Sequence, residues 1–162
     1  MTYTQTFVIS ALILTQAGCS ALHGECNLMY APSTLIINLE GAPTLLGTWA
    51  LDLEMTSLEG ADRGDETSHV TLTREALGTQ TVISSAPTDP LFQLEIDEEV
   101  STGEVKALIL QEIAPETIWV TLSEDEHIFA DGTFTPNYEV SEPNGEGCGE
   151  RYSGSITLPT DL

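Results

Sequence analysis

Basic residues are scarce: against 26 Asp and Glu the 162-residue chain has 4 Lys and Arg, a formal net charge of −22. Those four, Arg63, Arg74, Lys106 and Arg151, are scattered along the chain. Phosphate backbones are bound through a basic footprint, so the composition excludes nucleic acid as a partner. An anionic lipid surface would repel the domain for the same reason. Histidine and cysteine are scarcer still, at 3 each. No C-x-x-C pair and no G-x-S-x-G elbow occurs, which removes the usual signatures of thiol redox chemistry, a zinc knuckle and a serine hydrolase. No apolar run reaches the ~20 residues of a membrane-spanning helix. With 41% hydrophobic residues the chain can still fill a core, and its length suits one domain. The excess of one charge keeps such a domain soluble and monomeric while straining it by self-repulsion, as in salt-adapted proteins.

From residue 34 onward, two-residue alternation dominates. Trp49, Leu51, Leu53 and Met55 fall on one phase and Thr48, Ala50, Asp52 and Glu54 on the other, the mark of a half-buried strand. Comparable runs are Thr34–Leu39, His69–Thr73, Thr79–Ser84, Phe92–Asp97, Thr117–Ser123, Ile128–Thr135 and Tyr152–Leu158. Val105–Ile113 is more continuously apolar and suits a central strand. Gly, Pro, Asn and Asp clusters separate these segments, and Ser123–His127 reads as a hairpin loop. Some seven to nine short strands without intervening helices predict an all-β, antiparallel sandwich over residues 34–162.

The N-terminus reads differently. Phe7–Leu14 is a short apolar run, followed by Ala17-Gly18-Cys19, and such a stretch with small residues is a secretory signal. Ala17-Gly18-Cys19 resembles the processing site of bacterial lipoproteins, although Gln16 stands where that family usually has Leu. The resemblance implies a signal peptide over 1–18, cleavage before Cys19, lipidation of its thiol with a diacylglycerol, and acylation (palmitate) of the new amine. Ser20 in place of Asp then implies the outer membrane, and residues 19–33 form a tether. One acyl chain binds only marginally whereas several hold, so this anchor would be durable. An ordinary signal cut after Ala21, giving a periplasmic or secreted protein, is the alternative.

Lipidation of Cys19 would leave Cys26 and Cys148, one before the first strand and one before the last, as an expected disulfide in an oxidising compartment; two unpaired thiols are the alternative. The closing segment carries Phe134-x-Pro136-x-Tyr138, Pro143-Asn144-Gly145-x-x-Cys148 and a final alternating run. It resembles uncharacterised bacterial envelope lipoprotein domains. That resemblance implies an immunoglobulin-like sandwich with a terminal cysteine pair, and no activity.

Few residues invite chemistry. His23 lies in the tether, His69 on the polar phase of its strand, and His127 beside Glu124, Asp125 and Glu126 in a hairpin tip. Asp62, Asp65 and Glu66, and separately Asp97, Glu98, Glu99 and Glu104, are the best candidates for calcium, which wants six to eight oxygens. Neither group has the spacing of a helix–loop–helix calcium site. Trp49 shares its phase with Leu51 and belongs in the core. Trp119 is out of phase with Ile118, Val120 and Leu122, which marks it as an exposed aromatic fit for a protein or carbohydrate contact. These readings predict a non-enzymatic, lipid-anchored envelope module of unnamed partner, with no catalytic residue, no resident metal and no cofactor. A calcium-dependent adhesion module is the second reading and a secreted hydrolase the third.

Overall fold

The computed structural model describes residues 32–56, 65–86, 92–125, 127–146 and 148–160. The signal segment, Cys19, Cys26, Asp62, Arg63 and Glu126 lie outside the described residues.

Alternating sequence becomes strand throughout, and no helix occurs among the described residues. The strands are β1 Thr34–Leu39, β2 Gly47–Thr56, β3 Glu66–Arg74, β4 Val82–Ala86, β5 Gln93–Glu99, β6 Glu104–Gln111, β7 Thr117–Glu124, β8 His127–Phe134, β9 Asn137–Ser141 and β10 Arg151–Leu158. They form two five-stranded sheets, in the orders β5-β6-β1-β10-β9 and β4-β3-β2-β7-β8. The pairings are antiparallel except that β1 runs parallel to β10, Thr34 opposite Ser153 and Leu39 opposite Leu158. The expected all-β sandwich is therefore observed.

One hydrophobic cluster draws on both sheets. Leu35, Ile37, Leu108, Leu110 and Leu158 from the first meet Leu51, Leu53, Leu72, Ile118, Val120 and Leu122 from the second, all essentially inaccessible to water. At roughly 1.5–3 kcal/mol per buried large apolar side chain, this interior is the main favourable term in the fold. Trp49 is buried as expected. Its ring packs 4.4 Å from that of Phe129, and its Nε1–H donates to the Leu46 carbonyl at 3.1 Å.

The strand count exceeds expectation by β9. Pro136 separates it from β8, and its burial pattern leaves Tyr138 as its one half-buried position, so an edge strand of this kind leaves little alternation to read. Tyr138 is nonetheless well tied. Its hydroxyl donates to the Pro115 carbonyl at 3.0 Å, and its ring lies where a Cβ on Gly154 would sit, 2.8 Å away. Burial pushes the Tyr138 phenol well above its ordinary pKa. The strand expected at Thr79–Ser84 begins later, at Val82, because residues 79–81 do other work. Thr79 closes a turn through a 2.6 Å bond from its hydroxyl to the Ala76 carbonyl.

Candidate functional site

Two polar assemblies sit at opposite ends of the β2–β3 hairpin. Thr67 and Arg74 are seven residues apart on β3, about 23 Å along an extended strand.

At one end Arg74 points inward. It follows Val70 and Leu72 on the same phase and is 1% exposed. Its Nε and Nη2 donate to Thr81 Oγ1 at 3.3 and 2.9 Å, and Nη2 also pairs with Glu98. The Thr81 hydroxyl and N–H in turn donate to the Glu98 carboxylate at 2.6 and 3.2 Å. Arg74 belongs to the second sheet and Glu98, at a bulge in β5, to the first, so the pair ties the two layers together. Burial by itself would raise the Glu98 carboxyl. The hydrogen bonds from Thr81 and the charge and donor of Arg74 outweigh that and hold it below its ordinary value. Gly103, at φ +76°, leaves room for the guanidinium: a Cβ there would lie 2.6 Å from Nη1.

At the other end the outer face of the second sheet is open. Register places Thr67, Glu54, Trp119 and Thr133 side by side across β3, β2, β7 and β8. Directly opposed residues have Cβ atoms about 4.5–5.5 Å apart, so Glu54 borders Trp119. One row along, Thr56 faces Thr117, whose N–H donates to the Thr56 hydroxyl at 3.1 Å. These residues, with Met55, Asp65 and Glu66, line a cleft of about 550 Å³. Trp119 is half-buried there, on the face its phase predicts. Glu66 is steadied by the Ser68 hydroxyl, which donates to its Oε1 at 3.1 Å. Among the described residues no basic side chain lines this cleft. On the same face, two positions along β2, His69 Nδ1 lies 2.6 Å from Asp52 Oδ1, both well exposed.

The other sequence candidates are dispersed. Asp65 and Glu66 contribute to the cleft. Glu98 belongs to the buried pair, and Glu99 accepts from the Ser101 hydroxyl at 2.7 Å, a bond that with the Ser101 N–H holds its carboxyl below the ordinary value. His127 opens β8, exposed, with its ring edge-on to Phe129 at 4.6 Å. No group of three or more His, Cys, Asp or Glu is arranged to hold a metal among the described residues. Cys148 lies in the turn before β10, its N–H donating to the Gly145 carbonyl at 3.0 Å.

Sequence reasoning singled out Trp119 but not its neighbours, because register is needed to bring Glu54, Thr67, Thr117 and Thr133 to it. It also missed the Arg74–Glu98 pair, although a signal existed: Arg74 continues the inward phase of Val70 and Leu72.

No protein-family model matches this chain, and no curated protein or solved structure is significantly similar to it.

Proposed function

We propose that this is a non-enzymatic binding module of a bacterial cell envelope, an immunoglobulin-like sandwich held to the outer membrane by lipid on Cys19, with the Trp119 cleft as its contact site. The observation that carries the reading is the placement of Trp119. A large aromatic on the solvent side of a sheet adds nothing to the core between the sheets, and half-exposed aromatics in concave, polar-rimmed sites are what contact surfaces use. Apart from Asp65, the residues that line its cleft come from strands, which gives a firm platform.

The rest of the reading concerns placement in the envelope. The Ala17-Gly18-Cys19 site supports the anchor, and a Cys26–Cys148 bridge would tie the tether to the turn before β10. Such a bridge closes a loop of roughly 120 residues and would stabilise by about 4–5 kcal/mol on the loop-entropy account.

Mass spectrometry of the protein from its native membrane tests this. The expected N-terminus is a triacylated Cys19, with partition into the detergent phase; an unmodified terminus at Leu22 would overturn the anchor.

A further inference from the structure

We infer that β4 is a docking edge for a second copy of this chain, two β4 strands pairing antiparallel about a two-fold axis and joining two five-stranded sheets into one of ten. The inference does not depend on the reading of the Trp119 cleft.

The four edge strands among the described residues are β4, β5, β8 and β9. An edge presents main-chain donors and acceptors to any chain that approaches, and proteins blunt it with charge or proline. Three of the four are blunted in this way. β5 carries Glu95, Asp97, Glu98 and Glu99, β8 carries Asp131, and β9 carries Glu139 and follows Pro136. β4, Val-Ile-Ser-Ser-Ala, has no charged residue. Val82 is 66% exposed there and Ile83 39%. Among the described residues, Val82–Ala86 makes no main-chain bond beyond its ladder with β3.

Charge decides the occupant. Each copy carries a formal −22, so two copies repel wherever acids face one another. Ala76 to Thr88 is the longest run without Asp, Glu, Lys or Arg after Glu40, and β4 lies within it. The neutral surface continues across the sheet. Thr73 and Thr71 stand opposite Val82 and Ser84, and Thr48 and Ala50 stand beyond them on β2. Here a second copy can come within hydrogen-bonding distance without setting carboxylate against carboxylate. Its own β4 meets this edge with the same main-chain groups and the same uncharged side chains. An isologous contact of this kind uses the strand once in each copy and closes. Pairing β4 with an acidic edge of the next copy would instead leave a free edge at each end and continue into a filament.

The contact is small. Five residues of strand bury less than the roughly 1,600 Å² of a standard interface, which makes the dimer weak and reversible. Repulsion left between the two acidic bodies weakens it further. Salt should therefore tighten the dimer, the reverse of its effect on an interface held by ion pairs.

The test is sedimentation of the whole mature protein, with Cys19→Ser to remove any lipid, from about 10 µM to about 1 mM. A reversible monomer–dimer equilibrium is expected. It should be about tenfold tighter in 1 M NaCl than in 0.01 M, as the Debye length falls from about 30 Å to about 3 Å. Alternate β4 amides should exchange with solvent more slowly where the dimer prevails. Ser84 is the middle residue of β4, nearest the axis, and Ser84→Asp sets like charges opposite one another. Ser84→Asp and Val82→Asp should each abolish the dimer, and Ser84→Ala should keep it. Melting of each variant at a concentration where the wild type is monomeric shows that its fold is kept. Val140→Asp, the same kind of change at an exposed residue of the β9 edge, should leave the dimer unaltered. A protein that stays monomeric over this range in 1 M NaCl would overturn the inference. So would a dimer that salt dissociates, or one that Val140→Asp weakens as much as Ser84→Asp does. A dimer broken by reductant would overturn it in favour of a disulfide between copies.

Discussion

The two ends of the β2–β3 hairpin are built from similar materials and put to opposite uses. Each has glutamate and threonine side chains close together. At the Arg74 end the chain supplies its own cation, buries it, and completes most of its hydrogen bonds with Thr81 and Glu98. At the Trp119 end Glu54 stands beside an aromatic ring, Asp65 and Glu66 line the same cleft, and no basic side chain lines it among the described residues. A chain with 4 basic residues in 162 cannot neutralise its acids generally. It commits an arginine where two sheets must be joined and leaves the open face acidic. The first end then bears on whether the domain folds, and the second is the end proposed as its contact site.

The largest expected effect comes from emptying the filled end. Arg74→Met keeps an unbranched apolar stem and removes the guanidinium, which strands Glu98, whose side chain is 10% exposed. Removing one partner of a buried pair costs about 3–5 kcal/mol, because a charge is left without compensation. For a domain of this size that is a fall of about 10–20 °C in the melting midpoint. Adding Glu98→Leu removes the stranded charge and should recover at least half of the loss. A melting midpoint for Arg74→Met within a degree or two of wild type would abolish the contrast between the ends.

Acid should dissolve the same difference. The Glu98 carboxyl titrates below its ordinary value of 4.5 in the folded chain, so the folded state binds its proton less readily than the unfolded state. The stability it contributes is fully present above the unfolded pKa, and it is lost as pH falls through the lower, folded one. Protonation of the many exposed acids relieves repulsion over the same range and works the other way. The clean observable is therefore the gap in melting midpoint between wild type and Glu98→Gln. It should hold from neutral pH to about 4.5 and close below that; a gap that widened on acidification would reverse the assigned sign.

How far the sequence reveals this depends on the kind of information each end needs. Alternation alone places Trp49 in the core and Trp119 outside it, and it sets the inward phase on which Arg74 lies. Most strands of both sheets are legible for the same reason, since each strand with one buried face writes a period of two into the chain. The pairing of β2 with β7 is another matter. It brings Glu54 to Trp119 across 65 positions of sequence, and register between distant strands is decided by packing of both faces at once. Glu98 is obscured likewise. Nothing local distinguishes it from Asp97 and Glu99, and only the approach of Thr81 and Arg74 from the other layer marks it. The parallel partnership of β1 and β10, the first and last of the described strands, is equally invisible to local pattern.

The smallest effect offers the sharpest comparison, because one chemical change should have opposite signs at the two ends. Glutamate to glutamine removes a charge and keeps the shape. At Glu98 it removes the anion that Arg74 needs, so the domain should melt several degrees lower, with little dependence on salt because the pair is shielded from solvent ions. At Glu54 it removes one exposed charge from a strongly acidic surface. Surface substitutions of this kind change stability by less than about 0.5 kcal/mol, so Glu54→Gln should raise the melting midpoint by about a degree. The cause is screened repulsion, so the gain should be visible at 0.01 M salt, where the Debye length is about 30 Å, and disappear at 1 M, where it is about 3 Å. NaCl and KCl should act alike, and millimolar CaCl₂ at matched ionic strength should add nothing further. A saturating rise with calcium alone would mean that the cleft carboxylates hold a divalent ion and that the open end is also a filled one.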